Sequence, residues 1–147
     1  MEAVGTAASI IQLASFGLKL AKTLYSLCDE GASGSEQVKE LFFYVRSTSI
    51  ALEEVGKIFE EESRASKPLI SQNAITTAND VIFRCTEVFN KLGRMAEDGL
   101  KSTFGLLTFP LKSSRLQMLQ TKLEQSKIDL QLMMQVILNA RLKAEPR

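Results

Sequence analysis

Residues 35–59 read SEQVKELFFYVRSTSIALEEVGKIF, and this stretch decides the fold. Val38, Leu41, Val45, Leu52, Val55 and Phe59 fall at steps of three, four and seven, with Phe42 beside them. That spacing lays one apolar stripe along a helix of 3.6-residue period. Ser33 and Glu36 have the spacing of a capping box that would start the helix. The run Glu60-Glu61-Glu62 reads as its solvated end, so the expected helix covers about 35–62.

The same period extends in both directions. Downstream, Ile75, Ala78, Ile82, Cys85, Phe89 and Leu92 mark a helix over about 68–97. Pro68 suits its first turn, where a missing N–H costs nothing, and Gly93 and Asp98-Gly99 are stop signals. Leu116, Leu119, Leu123, Leu130, Met133 and Ile137 mark a last helix over about 113–143, with Ser126 interrupting the line. The end of that helix is apolar on more than one face, which predicts contact with the first helix on one side and another element on the other. Upstream, a helix spans about 3–28 and stops before Gly31-Ala32-Ser33-Gly34.

Almost nothing alternates at period two. Four helices on short links predict an all-α, up-and-down four-helix bundle, a single domain over 1–147 with axes about 20° apart. Two further features belong to this expectation: a hydrophobic N-terminal helix and an apolar linker before the last one.

Composition narrows the chemistry. The chain has 147 residues, 18 basic and 17 acidic, for a net charge of +1, so no global field recruits nucleic acid. It contains no histidine and no tryptophan, which removes His-based triads and His-containing zinc sites. Cys28 and Cys85 form no CxxC; two free buried thiols or one disulfide remain open readings. There is no phosphate-cradling GxxxxGK[ST] and no GxGxxG. Glu53-Glu54 and Glu60-Glu61-Glu62 sit at adjacent helix positions rather than converging across a cleft. No enzyme, cofactor, metal or nucleic-acid partner is expected. The N-terminus lacks the basic region of a secretory signal.

The first helix is unusually apolar. Val4, Ala7, Ile11, Ala14, Leu18, Ala21, Tyr25 and Cys28 form one line; Ile10, Leu13, Gly17, Leu20, Leu24 and Leu27 form a second. Gln12, Ser15, Lys19, Lys22 and Ser26 leave only a narrow polar face. A helix apolar nearly all round is either buried centrally or built to meet lipid. Its uncharged stretch, residues 3–18, spans about 24 Å, short of a hydrocarbon core of about 30 Å. Lys19 and Lys22 extend that reach by snorkelling, and Gly5 with Ser9 allows close helix contact. Both readings hold together if the helix packs at rest and is released on activation.

The linker before the last helix carries Phe104, Leu106, Leu107, Phe109 and Pro110. Such an apolar segment either folds back to cap the bundle or offers an interaction patch to another subunit or domain.

The opening Gly5-Thr6-Ala7-Ala8-Ser9-Ile10-Ile11-Gln12-Leu13 resembles the start of the fungal N-terminal domains attached to STAND-type NTPases and NOD-like receptors, a group similar to the HeLo and HeLo-like cell-death domains. The resemblance returns at Phe109-Pro110-Leu111-Lys112, where Phe stands in place of a common Trp, and at Leu119, Leu123, Lys127, Leu130, Leu132 and Val136. It implies the effector end of a larger receptor in innate immunity or heterokaryon incompatibility, with a STAND or NACHT module downstream. Activation of such a domain implies self-association into a homo-oligomer, movement from cytoplasm to plasma membrane, and permeabilisation of membrane lipids by the N-terminal helix. The matching positions are Gly5, Ala8, Ile10, Ile11, Leu13 and Phe16, joined on the same helix by Val4, Leu18 and Leu20. The alternative is a soluble helical adaptor that binds a protein partner without inserting.

Overall fold

The computed structural model describes residues 2–29, 35–67, 69–101 and 113–144. Four helices carry them: α1 (Glu2–Asp29), α2 (Ser35–Arg64), α3 (Gln72–Lys101) and α4 (Ser113–Ala144). No strand occurs among the described residues. The all-α four-helix bundle expected from the spacing is the fold observed.

The stripe read in α2 is the core. Val38, Leu41, Val45, Leu52, Val55 and Phe59 are all buried, as are Leu116, Leu119, Leu123, Leu130, Met133 and Ile137 of α4. Each such side chain contributes about 1.5–3 kcal/mol over its exposed state. In α3, Ile75, Ala78, Cys85, Phe89 and Leu92 are buried together with Val81 and Val88, and Ile82 is half-buried at the edge of that stripe. Ser126 is fully buried in the gap it makes in the α4 line, its hydroxyl donating to the Lys122 carbonyl at 2.9 Å.

The helices alternate in direction, but chain order is not the order around the bundle. α1 packs against α2 and α3, and α4 packs against the same two helices. α1 and α4 therefore lie on one diagonal, and α2 and α3 on the other. The expected contact between α4 and α1 is replaced by contact with α2 and α3. Arg84 of α3 meets Asp129 of α4 at 2.8 Å, and the start of α3 around Ala74 lies beside Met133 and Val136, an antiparallel register, whereas Glu62 and Arg141 meet near the C-terminal ends of α2 and α4, a parallel one.

Two helix ends differ from their sequence reading. α3 starts at Gln72, not 68, because Ser71 caps it: the Ser71 hydroxyl accepts from the Ala74 N–H at 3.1 Å, and its carbonyl accepts from the Ile75 N–H at 3.1 Å. α3 also runs through Gly93 and Asp98-Gly99 to Lys101. Buried Leu92, Met95 and Ala96 hold that segment helical, so packing overrides the weak local propensity of glycine. Pro68, the Ser33 cap, the Gly31–Gly34 link and the apolar linker with Phe104, Leu106, Leu107, Phe109 and Pro110 lie outside the described residues.

Glu62 is not a solvated helix end. It is 6% exposed and accepts two hydrogen bonds from the Arg141 guanidinium, at 2.9 and 2.5 Å. It also accepts one from the Leu69 N–H at 3.1 Å. One carboxylate thus ties the end of α2, the α2–α3 link and the end of α4.

Candidate functional site

α1 is the only one of the four helices long and apolar enough to cross a membrane by length and composition, among the described residues. The stretch Val4–Cys28 covers 25 residues with a mean hydropathy of 1.3. At 1.5 Å per residue it is about 38 Å long, more than the roughly 30 Å of a hydrocarbon core. Buried core helices pass the same test, so what matters is how much of its surface the bundle covers.

The two apolar lines fare differently. Ile10, Leu13, Gly17, Leu20, Leu24 and Leu27 are all buried. Of the other line, only Ala7, Ala14 and Ala21 are buried; Ile11, Leu18 and Cys28 are half-buried, and Val4 and Tyr25 are 52% and 53% exposed. Phe16, between the lines, is 43% exposed and stacks on Phe89 of α3 with ring centroids 6.2 Å apart. In all, fewer than half of the residues of the candidate span are buried. The bundle covers one full line and leaves an apolar flank beside it.

The expected membrane-targeting residues therefore fall into three groups. Ile10, Leu13 and Leu20 are in the core; Ile11 and Leu18 are half-buried; Val4, Gly5, Ala8 and Phe16 face solvent. Lys19 and Lys22 are exposed in the second half of the helix. Gly5 and Ser9, the small pair expected to permit close helix contact, face solvent too.

The buried line is held tightly, in a way the sequence does not announce. A Cβ on Gly17 would overlap the Ser49 hydroxyl of α2 and approach Phe89 Cε2 at 2.7 Å. A Cβ on Gly56 of α2 would lie 2.8 Å from Ile11 Cγ1. Gly17 and Gly56 are thus two places where α1 comes close to α2, with buried Ala7, Ala14 and Ala21 along the same helix. The signal was present as small residues at helical spacing, but nothing in the sequence says which glycine meets a neighbour.

Across α2, Tyr25 of α1 continues into an aromatic row. Tyr25 and Phe42 lie 5.4 Å apart, and Phe42 and Phe43 5.1 Å apart, both tilted. A second open apolar surface lies on α4, where residues 130–140 carry no charge. Leu132, Val136 and Leu138 there are 56%, 66% and 47% exposed. This accounts for the apolar excess at the end of α4: its second face is open rather than packed on α1.

Among the described residues, no arrangement for acid–base or nucleophilic chemistry stands out. Burial pushes the Cys85 thiol up to about 11, against smaller opposing effects from Ser126 and Arg84, which makes it an inert core side chain. The Arg141 hydrogen bonds hold Glu62 below the usual carboxylate range, with burial opposing. Among the described residues, no three His, Cys, Asp or Glu side chains gather to hold a metal. Comparison with protein-family models, curated proteins and solved structures matches this chain to nothing.

Proposed function

We propose that this chain is a non-enzymatic signalling domain that self-associates on activation and then permeabilises a membrane through α1. The observation that supports this reading most is the half-covered helix: an uncharged stretch at residues 3–18 with Val4, Ala8 and Phe16 already in solvent. A core helix needs one apolar line, and a helix whose second line is only partly covered has surface to spend on lipid or on other copies. The uncharged stretch at residues 130–140 of α4 adds a surface on which copies can pack without like-charge repulsion. The resemblance of the opening segment to the fungal HeLo-like receptor domains points the same way. On that reading the protein rests in the cytoplasm below a STAND or NACHT module and acts at the plasma membrane.

The second reading is a soluble adaptor, favoured by the close α1–α2 approach at Gly17 and Gly56, which resists release. Dye leakage from liposomes, measured for the monomer and for an artificially clustered form, separates the two. The membrane reading expects leakage only on clustering, and its loss in Ala8→Glu, an exposed position where the charge leaves the bundle intact. Absence of both leakage and lipid co-sedimentation from the clustered form transfers the function to the adaptor reading.

A further inference from the structure

A groove of about 770 Å³ lies between the second half of α1 and the first half of α2. Its apolar surface comes from Leu18, Ala21, Tyr25 and Phe42, and its charged groups are Lys22 and Arg46. Three smaller grooves, of about 300–400 Å³, each include a carboxylate: Glu97, Glu124 or Asp129. The α1–α2 groove has none. Neither Lys22 nor Arg46 forms an ion pair with a carboxylate among the described residues, and Arg46 also borders the neighbouring groove that holds Glu124. The result is an apolar trough edged by two cations and lined by no carboxylate.

We infer that this groove binds a long-chain fatty acid, with its carboxylate between Lys22 and Arg46 and its chain along Leu18, Tyr25 and Phe42. The volume falls within the roughly 300–1,000 Å³ of small-ligand sites, which are mostly apolar with a few convergent polar groups. A carboxylate meeting arginine and lysine makes charge-assisted hydrogen bonds, the strong kind. An apolar molecule without a charge would leave both cations unanswered, and a small anion without a chain would leave the aromatic wall uncovered. The inference does not rest on membrane permeabilisation, because an adaptor with the same groove would bind the same ligand.

Isothermal titration of the folded domain with dodecanoate below its micelle concentration tests this at fixed pH and low salt. One-to-one saturable binding is expected. It should weaken about tenfold in Lys22→Gln/Arg46→Gln, and also in Tyr25→Ala, while Lys143→Gln behaves as the parent. All the altered side chains are exposed, and circular dichroism verifies that each variant folds. Equal binding of dodecanol overturns the role assigned to the cations, and equal binding of acetate overturns the role of the apolar wall. Failure of dodecanoate to bind the folded parent overturns the inference outright, whatever the leakage assay gives.

Discussion

Gly17→Ala should destabilise the bundle even though it replaces a mid-helix glycine with the best helix former. The methyl group would overlap the Ser49 hydroxyl and sit 2.7 Å from Phe89 Cε2 and 3.0 Å from Cζ. Overpacking a close-packed core costs about 1–3 kcal/mol. Ser49 donates to the Val45 carbonyl at 2.7 Å and is fully buried, so displacing its hydroxyl risks about 1 kcal/mol more. The gain in helix propensity returns about 1 kcal/mol. The net loss is about 1–3 kcal/mol, and each kcal/mol lowers the melting temperature of a domain this size by about 2–4 °C. Gly93→Ala is the matched control, because a Cβ there meets nothing within 4 Å; it should gain up to about 1 kcal/mol. Thermal and urea unfolding followed by circular dichroism compares them. Equal stabilisation by the two substitutions would refute the close approach of α1 to α2 and α3.

Three further outcomes follow from named contacts. Arg141→Met should cost about 2 kcal/mol in urea unfolding, because it leaves the buried Glu62 carboxylate with the Leu69 N–H as its remaining hydrogen bond. Glu62 titrates below its unfolded value, so its contribution is present above the ordinary glutamate range and fades as pH falls through the lowered value. A stability–pH profile should show that acid loss in the parent and much less of it in Arg141→Met; matching profiles would contradict the assignment. Ser71→Ala removes the α3 cap and should cost about 1 kcal/mol, read as a lower unfolding midpoint, with no change disproving the cap. Cys85, buried and with its thiol raised to about 11, should resist alkylation at pH 8 until the chain unfolds, while half-buried Cys28 is modified first; rapid labelling of Cys85 would contradict its burial.

Much of the core was legible because burial in a helix leaves a period. Every stripe residue named in α2 and α4 is buried, and α3 differs only in that Val81 and Val88 share the inner face while Ile82 slides to its edge. Long-range pairing left no such mark. Glu62 looked like part of a solvated run, and its partner Arg141 is 79 residues away, beyond the reach of local spacing. The α3 start was drawn to Pro68 because proline is a loud signal and a lone serine cap a quiet one. The order of helices around the bundle was not legible either, since an apolar stripe says that a face is covered and not by what. In the candidate site, the two lines of α1 were equally apolar on paper. Alanines gave the inner flank its close fit and Val4, Phe16 and Tyr25 its open one, a distinction that depends on where α2 and α3 lie.

The account stands or falls on whether α1 leaves α2. A disulfide between Ile11→Cys and Gly56→Cys, in a Cys28→Ser background, would fasten them where a Gly56 Cβ lies 2.8 Å from Ile11 Cγ1; bridged Cβ atoms sit about 3.8 Å apart. Liposome leakage by the clustered, folded protein should be absent with the bridge closed and should appear when it is reduced. Leakage that is the same with α1 fastened and unfastened would show that the helix does its work without moving, and the release mechanism would be wrong.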